Sequence, residues 1–359
     1  MGKIRFGIIG GGWRAEFYLR IAAALPERFE VARMLVRREE KGAALTAQWG
    51  IRTVSSMEQF VRERDYSFAV VSVSRESCPD YIAELASRGI PVLAETPPAK
   101  DLQSLVQLFE AVGAEAKVQV AEQYLYQPMH AARIAVAHSG KLGSVSHVQV
   151  SAAHGYHGIS LIRRLLGVRY EDAVIRGERF TAPLMAGPGR GGPPQEESFR
   201  DSVQDMATLR FGGRTALYDF AGDQYFSWVR KNRVLVRGDR GEIADEELRY
   251  LVDYRTPVSM EMRRVETGHN GNLEGYYHQG ILAGSEWVYR NPFIPARLTD
   301  DEIAIATSLA NMARYAEGGP SFYSLAEASQ DHYLSLMMAQ AVETGETVRT
   351  TPQIWSERE

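Results

Sequence analysis

The sequence predicts an α/β protein: a doubly wound parallel sheet, then an α+β domain with a large, open, mainly antiparallel sheet. Three observations predict it. Strand and helix patterns alternate through the first third of the chain at the spacing of βαβ units. The opening strand runs directly into a glycine triplet and a helix. Beyond Ser144, period-2 segments are joined by glycine-containing turns, the pattern of antiparallel strands. A length of 359 residues suggests two domains, placed at 1–122 and 123–359, with the terminal helices packing back on the first.

Composition narrows the function. Hydrophobic residues make up 45% and charged residues 24%, ordinary for a globular protein. Forty-one basic side chains against 45 acidic ones give a net charge of −4, which argues against a nucleic-acid partner. No apolar run approaches a membrane span, and no signal-peptide pattern opens the chain, so no membrane partner is expected. Cys78 is the only cysteine and excludes an intrachain disulfide. A reducing cytoplasm is the expected location.

Ile4, Phe6, Ile8 and Ile9 read as a buried strand, and Phe17, Ile21, Ala24 and Leu25 mark the helix that follows. Between them lies Gly10-Gly11-Gly12. Gly10 permits a tight turn, and Gly12 has no Cβ to hold a pyrophosphate off the backbone. The helix start supplies N–H groups and positive dipole, so a nicotinamide dinucleotide is the expected ligand. Ala15 holds the third small position of the G-x-G-x-x-G pattern. The second strand, Phe29 to Val36, ends at Arg37 and Arg38 with no carboxylate at the ribose position. Of the two cofactors, NAD and NADP, this favours NADP, whose 2′-phosphate an arginine accommodates. The bland alternative is a solvated helix start.

Further units follow: a helix over 40–49, a short strand near Thr53-Val54, a helix over 56–64 and a strand over 68–73. After a helix through Arg88 come a strand over 90–94, a helix opened by Asp101 and a strand over 117–121. The turns that end the strands carry the other expected cofactor contacts: Trp13, Arg14, Ser72, Val73, Ser74, Glu95 and Gln123.

This order of elements, with Gly10-x-Gly12, Ser72-Val73 and Leu93-Ala-Glu95-Thr-Pro97, resembles the Gfo/Idh/MocA family. The likeness continues through Tyr126-x-Pro128, Ser139-Gly-Lys-Leu-Gly143, His157 ahead of Leu165-Leu-Gly167, Leu325-Ala-Glu-Ala328 and Thr344-Gly345. It implies a Rossmann domain, NAD(P)-dependent hydride transfer at a sugar or polyol, and a homo-dimer or homo-tetramer assembled through the open sheet. It also implies a proton-transfer role for His157. Here the chain departs from the family. The family's lysine is Thr96, its aspartate four residues before the histidine is Ala153, and Ser160 stands where another aspartate is usual. Arginines usual at Tyr124 and Leu125 are absent too. Tyr124 and Thr96 are then the candidate hydrogen-bond donors to the reacting oxygen. His157 falls at a helix start, whose dipole disfavours imidazolium and suits a general base.

His154, three residues upstream of His157, is a candidate substrate contact, and so is His278 in the cluster Tyr276-Tyr277-His278. Two histidines without a third ligand do not make a metal site, and none is expected. The stretch 179–200, rich in Gly and Pro, reads as an idle irregular excursion, the less favoured alternative being a lid whose Arg190 reaches an acidic substrate. Strands are expected over 203–211, 215–220, 225–229 and 233–237, a loop over 268–272, and amphipathic helices over 300–315 and 324–344. Two other functions remain open: a lyase or glycosidase with transient oxidation, and a non-catalytic dinucleotide sensor or partner subunit.

Overall fold

Burial of Phe6, Ile8 and Ile9 makes β1 (Ile4–Ile9) the centre of the first sheet. The computed structural model describes residues 2–62, 64–113, 116–268 and 275–356. The chain continues through α1 (Trp13–Ala24), β2 (Phe29–Leu35), α2 (Glu39–Trp49), β3 (Thr53–Val54), α3 (Met57–Arg62) and β4 (Phe68–Val71). It then runs through α4 (Cys78–Ser87), β5 (Val92–Ala94), α5 (Leu102–Val112) and β6 (Val118–Val120). The six strands are parallel, in the order β3-β2-β1-β4-β5-β6. Strand order reverses between β1 and β4, so the turns after them diverge and open a crevice at the carboxyl edge.

A short 3₁₀ turn, Gln123–Tyr126, leads out of β6 into α6 (Pro128–His138), β7 (Val145–Ser151) and α7 (Gly155–Leu166). Then follow β8 (Val174–Met185), β9 (Phe199–Phe211), β10 (Arg214–Ala221), β11 (Arg233–Gly238) and β12 (Gly241–Ala244). Next are β13 (Glu247–Asp253), β14 (Thr256–Thr267), β15 (Tyr277–Ala283), β16 (Glu286–Arg290), α8 (Asp300–Ala316), α9 (Leu325–Thr344) and β17 (Val348–Arg349). Among the described residues these strands form one 11-stranded sheet, ordered β16-β15-β14-β13-β12-β11-β7-β10-β9-β8-β17. Only β7 and β10 pair in parallel. The predicted fold class is the one observed.

The terminal helices close the core. Ile303, Ile305, Leu309 and Met312 of α8 join Phe6, Ile8, Tyr18 and Ile21 in one buried cluster, and Arg20 bonds Glu302 at 2.7 Å. Thr299 caps α8 through a reciprocal pair with Glu302.

Four expectations are corrected. Residues 225–229 are not a strand: Gln224 accepts from the Ala221 N–H at 2.8 Å and donates to Ser151 O at 3.0 Å, closing a 3₁₀ turn over Gly222–Tyr225. The stretch 179–200 is irregular only over 186–198, because Arg179 to Met185 pair in register with Phe199 to Asp205. Helix α9 is not amphipathic; it is enclosed on nearly all sides and buries Gln330, Asp331 and His332 with its apolar residues. Helix α7 begins at Gly155, three residues before the expected Gly158. Residues 269–272 of the expected loop lie outside the described residues.

Candidate active site

The crevice is a cleft of about 800 Å³ lined from both domains. One wall is the turn after β1. Gly10 has φ +111°, and a Cβ on it would lie 2.0 Å from Ser72 O, so only glycine fits against the turn after β4. Gly12 precedes α1 with no side chain capping the helix, and a Cβ there would point into open space. A free helix start facing an open cleft beside a side-chain-free turn suits a dinucleotide pyrophosphate. Ala15 is buried beneath, where α1 meets the sheet.

Trp13, Arg14, Arg37, Arg38, Ser72, Val73, Ser74, Glu95 and Thr96 all line this cleft, as does Lys41, which sequence reasoning did not single out. Glu95 accepts from Tyr18 Oη at 2.6 Å and lies 3.7 Å from Arg14 Nε. Burial works against the Arg14 charge, but Glu95 and its neighbours hold its pKa above the usual value. Gln123 is buried against Arg14, accepting from its guanidinium at 3.0 Å.

His154 and His157 form the opposite wall. They stand at the N-terminus of α7, where Gly158 allows the Tyr218 ring to pack closely and Tyr218 Oη accepts from the Gly155 N–H at 2.9 Å. His157 Nδ1 lies 2.7 Å from Oε2 of Glu122, a wholly buried carboxylate whose Oε1 accepts from the Tyr124 N–H at 3.1 Å. A carboxylate only accepts, so Nδ1 carries the proton and Nε2 keeps its lone pair.

Tyr124 stacks on His157, ring centroids 4.5 Å apart, and donates its hydroxyl to Tyr225 Oη at 3.3 Å. Burial and the neighbouring Tyr225 raise the Tyr124 pKa far above that of a free phenol. The bond to Tyr225 commits this proton within the protein, and Tyr124 is not among the residues lining the cleft. Tyr225 also accepts from the His154 backbone N–H at 3.1 Å and lies 2.5 Å from His154 Nδ1. Burial first, then His157 and Arg75, push the His154 pKa down to about 4.

His278 is not brought to this place. It is buried on β15, stacked on Tyr289 and 4.0 Å from Glu266, away from the cleft. Sequence reasoning missed Glu122 and Tyr225. Glu122 had a signal in its position, directly before the Gln123-Tyr124 pair already singled out. Tyr225, assigned to a strand, had none.

Residues 4–124 match the model of the Gfo/Idh/MocA family, described as an oxidoreductase family with an NAD-binding Rossmann fold. The match covers the first sheet and the turn leading out of it. No curated protein matches the sequence. Solved structures share the fold over nearly the whole chain. A levoglucosan dehydrogenase in complex with NADH and levoglucosan is 16% identical, with a TM-score of 0.69 over 97% of this chain and 99% of the other. A myo-inositol dehydrogenase from Corynebacterium glutamicum is 17% identical, with a TM-score of 0.67 over 98% and 100%. An oxidoreductase from Agrobacterium radiobacter, in complex with NAD+, L-tartaric acid and magnesium, is 16% identical, with a TM-score of 0.68 over 96% and 98%.

Proposed function

We propose that the chain as a whole is a Gfo/Idh/MocA oxidoreductase that oxidises a secondary alcohol of a sugar, polyol or related small molecule, or reduces the matching carbonyl. The observation that carries this reading is one cleft with a dinucleotide turn on one wall and, on the other, His157 with Nδ1 held by Glu122. A bound nicotinamide would supply the hydride acceptor or donor. The protein's part is to orient the substrate and move its proton. His157 Nε2, with its lone pair free, takes the hydroxyl proton during oxidation, and the imidazolium returns it during reduction. Glu122 holds the ring and balances the charge that forms on it. Thr96, standing where the family has its lysine, is a neutral donor lining the cleft and takes over no acid–base role.

At the adenosine end we read a site for NADP in preference to NAD. Arg37, Arg38 and Lys41 line the cleft, and among the described residues none of them has an ion pair to satisfy it. Three uncompensated cations suit a 2′-phosphate. The matched solved structures are dehydrogenases and an oxidoreductase, and do not favour the lyase or sensor readings. We further read the protein as a cytoplasmic homo-dimer or homo-tetramer joined through the second sheet, where Leu251, Val252 and Tyr254 are exposed. Among the described residues no helix is long and apolar enough to cross a membrane.

The test is a fluorescence titration with NADPH and NADH, followed by a screen of polyols and keto-sugars with the tighter ligand. His157→Ala is expected to lower kcat by about 100-fold or more while leaving the dinucleotide Kd within twofold or so. Undiminished turnover in that variant, or no affinity for either dinucleotide, rejects the proposal.

A further inference from the structure

Tyr225 stands at a junction of three hydrogen bonds. Its oxygen accepts from Tyr124 Oη at 3.3 Å and from the His154 backbone N–H at 3.1 Å, and it lies 2.5 Å from His154 Nδ1. Two donors already fill the oxygen's lone pairs, so the contact to Nδ1 takes the one proton Tyr225 has to give. His154 Nδ1 is then an acceptor, and the ring's own proton sits on Nε2. His157 is the reverse: Nδ1 donates to Glu122 and Nε2 is bare. The two rings meet edge to face, centroids 4.9 Å apart, and both line the cleft. Among the described residues neither Nε2 has a protein partner, so both are left for a ligand.

We infer that Tyr225 is a positioning residue that fixes His154 as a neutral Nε2–H donor to the reacting oxygen, opposite His157 as the acceptor. This rests on the oxidoreductase reading above and extends it by giving the donor role to a histidine. A secondary hydroxyl matches the pair on a single oxygen, donating its proton to His157 Nε2 and accepting from His154 Nε2–H. In oxidation the O–H bond breaks and its proton passes to His157. The carbon gives up hydride to an oxidised nicotinamide dinucleotide, and the new carbonyl oxygen stays on the His154 N–H. Reduction runs the same bonds backwards. A donor held in place by Tyr225 stabilises charge on that oxygen without reorganising. Because His154 resists protonation, it stays a neutral donor throughout the physiological range.

The test has two arms. Long-range ¹H–¹⁵N spectra of the full-length protein, which need no turnover, read each histidine tautomer. His154 is expected as Nε2–H and His157 as Nδ1–H, with Tyr225→Phe releasing His154 to a tautomer mixture. His154 found with its proton on Nδ1 in the wild type overturns the inference, whatever the enzyme does. The kinetic arm uses the best substrate from the polyol screen. His154→Ala should lower kcat about 100-fold and Tyr225→Phe about tenfold, chiefly in kcat rather than KM. His154→Gln, which keeps an N–H, should recover part of the loss. Unchanged kcat in both His154→Ala and Tyr225→Phe overturns the donor role and leaves the oxidoreductase reading standing. A wild type that turns over no alcohol or carbonyl, with the tautomers as expected, overturns both readings of function.

Discussion

Glu122 gives one carboxylate oxygen to His157 Nδ1 at 2.7 Å and the other to the Tyr124 N–H at 3.1 Å, and none of it is exposed. A buried carboxylate is costly unless its oxygens find donors, and these two bonds give each oxygen one. Its placement sets which ring nitrogen of His157 is bare. Glu122→Gln keeps the shape but offers His157 either an amide oxygen or an N–H. Turnover should fall about 10- to 100-fold with dinucleotide affinity unchanged, and the His157 spectrum should lose its pure Nδ1–H signature. A variant with normal kcat would reduce Glu122 to packing. At this scale Gly10 was legible, because only a residue without Cβ fits its positive φ and its close approach to Ser72 O, whereas a Cβ on Gly12 would meet open space. Glu122 was marked only by its place beside Gln123-Tyr124, because nothing in Val120-Ala121-Glu122 says that a histidine 35 residues later packs against it.

The β8–β9 hairpin illustrates the scale of elements. Its strands pair over their full length from Val174–Arg210 to Met185–Phe199, and the 186–198 segment at its tip reaches the start of α1. There the Arg190 guanidinium lies 4.2 Å from the centroid of the half-exposed Trp13 ring. The second domain thus touches the start of α1 by a cation–π contact. Such a contact at an exposed site is worth roughly 0.5–1 kcal/mol, so Arg190→Ala should speed dinucleotide release about two- to fivefold. Stopped-flow displacement measures it, and an unchanged off-rate would mean the hairpin tip does not hold the cleft mouth. The glycines and prolines of 187–194 marked an irregular stretch correctly at its centre. They overstated its length, because strand pairing depends on a partner that local composition does not reveal.

Across the whole molecule, histidines that resist protonation shape the acid response. Burial first pushes His130 down to about 3, and His154 and His332 to about 4, from an ordinary 6.5. Between pH 6.5 and about 4 the unfolded chain therefore binds protons that the folded chain refuses, and stability falls as pH drops through that window. Asp331 works the other way. Burial raises it to about 6, despite the Arg163 guanidinium at 2.7 Å, so the folded chain takes a proton there first. Three groups, with His147 and His278 lowered in the same direction, outweigh one. The Tm followed by circular dichroism is expected to fall steadily from pH 6.5 to 4.5, before most carboxylates titrate. A flat or rising Tm over that range would contradict the lowered pKa values of these rings.

The sequence by itself determined the class of fold, the glycine turn after β1 and the arginines that follow β2. Each of these is a local demand: a strand period, a position without Cβ, a run of charge beside a turn. Tertiary structure decided the rest. It brought α8 from the far end of the chain to complete the core around β1, and it set Glu122 behind His157. It also carried Tyr225 to His154 across 71 residues of chain. Those pairings satisfy buried polar groups and fill apolar faces between segments distant in sequence, and a one-dimensional pattern holds no trace of which distant partner will do so.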